Sequence, residues 1–159
     1  MSETADLNPT IVEALYGEAL ELADAARAAF ELPDALTGAA RGEDLARIAL
    51  SCEALRTTTR MMHAIAWLLN QRAYFAGELS GPQLARHGRL ALRQAGPDPA
   101  HLALLPGDLR TLIECTQRFY ARIERLDRAW HDHFETAPPV HRLRERLGRS
   151  VAGLESRTR

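Results

Sequence analysis

Apolar positions along this chain recur at helical spacing between clear breakers. Gly and Pro fall at Pro33, Gly38 and Gly42, at Gly77, Gly81 and Pro82, along Gly96 to Gly107, and at Pro138-Pro139. The segments between them carry apolar residues three and four apart, the spacing of one helix face. No run of β-branched or aromatic residues alternates with period two, so no strand is predicted. The first helix is predicted to start at Asn8, a good N-cap, with Pro9 at the first helical position. Its stripe is Ile11, Leu15, Ala19, Leu22, Ala26 and Ala29, and it stops near Glu31 because Pro33 disfavours helical geometry at Leu32.

The second helix dominates the pattern. From about Glu43 to Gly77 neither Gly nor Pro interrupts it. Leu45, Ile48, Cys52, Leu55, Thr59, Met62, Ala66, Leu69, Ala73 and Ala76 alternate spacings of three and four, a heptad seam that predicts long, near-parallel packing. Other apolar residues remain: Met61, Ile65, Leu68, Phe75 and Leu79 make a second stripe, and Trp67 and Tyr74 lie on a third. A helix apolar nearly all round is buried on several sides, so a homodimer or a partner helix is expected. A shorter helix capped by Ser80 is predicted to run to about Gln94. The last long helix is predicted from an N-cap at Asp108, with its seam at Leu109, Leu112, Thr116, Phe119, Ile123, Leu126, Trp130 and His133.

The predicted fold is all-α: an antiparallel bundle of three long helices plus one short helix, dimeric. The bundle domain is expected over residues 1–137. Residues 138–159 are expected to form an Arg-rich tail, flexible or folded into a short amphipathic helix on Val140, Leu143, Leu147, Val151 and Leu154.

Composition changes this picture mainly by exclusion. The chain has 159 residues, 46% of them hydrophobic, with a net charge of −1, which speaks against a uniformly basic nucleic-acid binder. All 20 basic residues are Arg, so Schiff-base chemistry and a P-loop, which need Lys, are excluded. Charge is segregated: residues 1–44 hold ten acids and two Arg, a net −8, and residues 141–159 hold six Arg and two Glu, a net +4. The acidic start is not expected to serve as a signal peptide, the apolar stretch Met61 to Leu69 is too short to span a bilayer, and two cysteines make no disulfide framework. A cytoplasmic protein is expected.

Candidate chemistry is sparse. His131, His133 and Glu135 invite a metal reading, but His133 lies on another face from the other two, and no other helix offers a Glu-x-x-His partner motif. Cys52 sits on the seam as a small apolar residue, and Cys115 has no paired His. Arg86, His87, Arg89 and Arg93 imitate a recognition helix without a second short helix to complete a helix-turn-helix. No cofactor, metal or catalytic residue is predicted. A nucleic-acid-associated regulator using the Arg-rich C-terminal region is the alternative function. Arg56 and Arg60 put two cations on one face, which asks for an internal acidic partner, such as the acids of the first helix, or for a recognition patch.

The run Glu53-Ala54-Leu55-Arg56-Thr57-Thr58-Thr59-Arg60-Met61-Met62, then Ala66-Trp67-Leu68-Leu69-Asn70-Gln71-Arg72-Ala73 and Gly77-Glu78-Leu79-Ser80, resembles the signature helix of the RcdA-like family, the regulators of CtrA degradation. Phe119 to Asp127 is similar to that family's second landmark, and the likeness covers most of residues 43–135. The resemblance implies a dimeric helical bundle without catalytic activity. It implies an adaptor that works with partner adaptors to deliver client regulators, including cell-cycle proteins, to the ClpXP protease. On that reading Arg56, Arg60, Gln71, Arg72 and Glu78 are candidate polar protein-binding residues, with Trp67 beside them as a packing residue.

Overall fold

The computed structural model describes residues 7–31, 41–91 and 95–136, with side chains over the same residues except 41–43 and 133–136. The expected tail at 138–159 lies outside the described residues. Among the described residues five helices follow one another: α1 (Pro9–Phe30), α2 (Arg41–Phe75), α3 (Gly81–His87), α4 (Pro99–Leu102) and α5 (Gly107–Thr136). The architecture is all-α, and no strand occurs among the described residues.

Local signals explain the helix ends. The Asn8 side chain accepts from the Ile11 backbone N–H at 3.0 Å, and Pro9 opens the first turn of α1. Ser80 and Gln83 form a capping box at α3, each side chain accepting from the other's backbone N–H. The polypeptide leaves α2 through Gly77 at φ 79°, a left-handed conformation that costs a glycine little, and the Glu78 N–H closes back on the Ala73 carbonyl at 2.9 Å. α2 passes through Thr57-Thr58-Thr59 unbroken, and its 35 residues make a rod about 52 Å long at about 1.5 Å per residue. α3 is shorter than the predicted segment and stops at Gly88. A Cβ there would sit 2.7 Å from the Leu84 carbonyl oxygen.

α1 runs antiparallel to both long helices. Near its start Glu13 meets Arg72 and Glu18 meets Arg122, and its end, Ala29 and Phe30, packs by Ala49 and Leu50. α2 and α5 run in the same direction: Ala49 and Leu50 share a cluster with Leu109 and Ile113, Arg60 meets Thr116, and Tyr74 meets Trp130. The connection over 76–106, which holds α3 and α4, makes this possible by returning the chain to the start of α2.

The main core joins Val12, Leu15 and Ala19 of α1 to Met61, Ala64, Trp67 and Leu68 of α2 and to Phe119, Tyr120 and Ile123 of α5. The stripe predicted for α1 faces inward, and so does that of α5 from Leu109 to Trp130; His133, its last member, lies outside the described side chains. The seam predicted for α2 does not. Leu45, Ile48, Leu55, Met62 and Leu69 are exposed, at 60%, 57%, 69%, 63% and 44%.

Candidate protein-docking face

A second heptad pattern, hidden by its polar members, turns α2 over. Leu50, Thr57, Ala64 and Gln71 stand seven apart, and so do Glu53, Arg60, Trp67 and Tyr74; all eight are buried. Together they repeat three and four without a break, like the apolar seam on the opposite side. Two of the eight, Trp67 and Tyr74, carry large aromatic rings that fill the core, and several polar members find partners inside the subunit. Trp67 Nε1 donates to Asp127 Oδ1 at 2.7 Å. Arg60 Nη1 donates to Thr116 Oγ1 at 3.0 Å. Tyr74, Phe75 and Trp130 stack edge to face at the C-terminal ends of α2 and α5, with ring centroids 5.3–5.9 Å apart.

Glu53 anchors the connection. Its carboxylate is fully buried, and Oε1 accepts from Arg56 and, at 3.1 Å, from the backbone N–H of Asp98; His101 Nδ1 lies 3.4 Å away. One carboxylate thus fastens α4 and its approach to the middle of α2. The internal acidic partner of the Arg56–Arg60 pair is therefore Glu53, on α2 itself. Burial pushes the Arg60 guanidinium below its usual pKa, and the nearby Glu53 carboxylate and Tyr120 hydroxyl partly offset this. Tyr120 is pushed up, first by burial and then by Glu124, and its hydroxyl donates to the Ala91 carbonyl at 3.2 Å.

The residues singled out in the sequence therefore separate. Arg60, Trp67 and Gln71 lie inside the bundle and offer no surface in the folded subunit. Gln71 is fully buried with both amide atoms unpartnered. Arg56 is partly exposed at the edge of the Glu53 anchor. Arg72 bridges to Glu13 at 2.6 Å and lies 4.4 Å over the Tyr16 ring; the Glu13 hydrogen bond is the main cause of its raised pKa. Glu78 is exposed in the turn after α2.

The face that α2 leaves open is the apolar seam. Its larger members are Ile48, Leu55, Met62 and Leu69, and the smaller Cys52, Thr59, Ala66 and Ala73 lie between them. Ser51 and Thr58 are exposed along one rim and Arg56 and His63 are half-buried along the other. The seam is lined mainly by apolar and small side chains, a surface that can bury apolar area against another protein. Elsewhere, His131 Nδ1 sits 2.8 Å from the Asp127 carbonyl, and no group of three His, Cys, Asp or Glu among the described residues could hold a metal ion. Among the described residues, no helix is long and apolar enough to cross a membrane.

A family model described as "Protein of unknown function (DUF1465)" matches residues 3–151. The chain belongs to the DUF1465 family. No curated protein and no solved structure matches it. In this DUF1465 chain the core-forming face of α2 is thus the mixed polar one. The signal that could have found it was the seven-residue recurrence from Leu50 and Glu53, read without regard to polarity.

Proposed function

We propose that this chain is a non-enzymatic protein-interaction adaptor that works as a homodimer in the cytoplasm. The observation that supports this most is the apolar seam of α2, five large side chains exposed over one continuous helix face. Monomeric proteins rarely leave such a stripe in water. The resemblance of the α2 sequence to the RcdA-like family narrows the role: delivery of regulatory proteins, cell-cycle regulators among them, to the ClpXP protease alongside partner adaptors. The mechanism is tethering, which raises the effective concentration of client at the protease without new chemistry. Arg56, Arg72 and Glu78 lie at the subunit surface and are the polar contacts in this reading.

The test is affinity capture from a lysate with three baits: the full chain, a chain lacking residues 140–159, and Leu55→Glu with Met62→Glu. The reading expects ClpX, partner adaptors or cell-cycle regulators on the full chain and their loss with the double variant. Capture of other proteins with all three classes absent overturns the ClpXP role.

A further inference from the structure

We propose that the C-terminal segment of this same chain, residues 140–157, docks as an amphipathic helix on the half of the α2 seam from Ala73 to Met62 and competes there with any other occupant. The proposal rests on the reading of the seam as a docking face and adds its regulation.

Pattern and reach give the first argument. Leu143, Leu147, Val151 and Leu154 lie four, four and three apart, on one helix face. Ala73, Leu69, Ala66 and Met62 lie four, three and four apart along the seam, so an antiparallel helix stays in register over all four layers. Leu20 of α1, 42% exposed, stands one turn beyond Tyr16, which Arg72 covers, and so widens this half of the seam. α5 packs on the buried face of α2, away from the seam, and ends at Thr136, beyond the level of Tyr74 and Trp130. The link from Thr136 to Leu143 reaches about 24 Å when extended, and Pro138-Pro139 favours that form. A helix on the far side of α2 has its axis roughly 20 Å from that of α5.

Charge then fixes the direction. α1 runs antiparallel to α2, with Glu13 at Arg72 and with Asp24 and Glu31 further along the same edge. Arg56 and His63 are half-buried along the opposite edge. In a right-handed helix laid antiparallel to α2 with its leucines down, Arg146 and Arg157 point to the acidic edge and Glu155 points to His63. The same helix laid parallel would set those arginines against Arg56 and His63, and Glu155 against the acids of α1. Gly148 and Gly153 each cost a helix about 1 kcal/mol, so the docked segment is displaceable. Its attachment to the same chain supplies an effective concentration that a free partner must outcompete. A partner's apparent affinity for the seam falls by the fraction of time that the seam stands open.

The test uses the full chain with Cys52→Ser and Cys115→Ser, a short bis-maleimide, and a mixture of unlabelled and nitrogen-15 chains. Leu147→Cys with Leu69→Cys is expected to couple within one chain, giving linked peptides of a single isotope. Leu147→Cys with Ile48→Cys, whose seam position is about 32 Å from residue 69, is expected to stay uncoupled. Asp24→Arg with Glu31→Arg is expected to cut the first coupling severalfold at low salt. Equal coupling at residues 69 and 48, coupling between chains only, or none at residue 69 overturns the docked segment. By light scattering, a chain ending at residue 139 is expected to dimerise at a concentration about tenfold lower than the full chain, and an unchanged midpoint overturns the competition. Coupling within one chain, with capture unaffected by Leu55→Glu and Met62→Glu, upholds the docked segment and overturns the seam as a face for other proteins. Loss of capture in that bait without any coupling does the reverse.

Discussion

Gln71 carries a whole amide into the core of the subunit, and neither its oxygen nor its nitrogen has a partner there. Burying such groups unpaired costs free energy that an apolar side chain of similar shape avoids. Gln71→Leu is therefore expected to stabilise the subunit by about 1–2 kcal/mol, read as a higher urea midpoint with an unchanged slope. A loss of stability would show that the amide makes a bond the account lacks. Trp67 is the contrasting case, equally buried but with its indole N–H satisfied by Asp127. Residue-scale signals were legible where they act locally: the Asn8 and Ser80 caps need only a few neighbouring residues to be recognised. The burial of Glu53, Thr57, Arg60 and Gln71 was not legible: Glu53 and Arg60 reach Asp98 and Thr116, more than forty residues away, and the Thr57 hydroxyl and the Gln71 amide have no partner to betray them.

At the scale of elements, α1 and α5 packed as their apolar spacing predicts, since each has one apolar face and one polar face. α2 has two faces with the same repeat, and spacing alone cannot say which one turns inward. What decides it is a sum over the helix: the aromatic bulk of Trp67 and Tyr74, and the internal partners available to Arg60 and Glu53. The four-residue α4 escaped notice because its only sequence signals are the Asp98 cap and Pro99. Its position depends on Glu53, whose Oε1 receives the Asp98 N–H and holds Arg56 beside His101. Glu53→Ala is expected to cost about 2 kcal/mol by leaving those half-buried donors without their acceptor. It should also speed proteolytic cleavage within residues 95–106 relative to the rest of the chain. Cleavage at the wild-type rate would mean that the connection is held by something other than this carboxylate.

At the scale of the molecule, the three long helices pack together around Trp67 and Leu68 and leave the apolar seam of α2 exposed. The subunit buries aromatic rings, a carboxylate and a guanidinium, yet keeps Leu55 and Met62 more than half exposed. Membership of the DUF1465 family assigns no activity to that edge, and the physical case for a role in protein association rests on the edge itself. The most direct test is the mass of the protein in solution across a concentration series, by light scattering, for the wild type and for Leu55→Glu with Met62→Glu. The account predicts a wild type at about twice the 17.6 kDa subunit mass, and a double variant at one subunit with the same helical circular dichroism. A wild type that stays at one subunit mass up to the highest concentration, or a double variant that dimerises as readily, would contradict it.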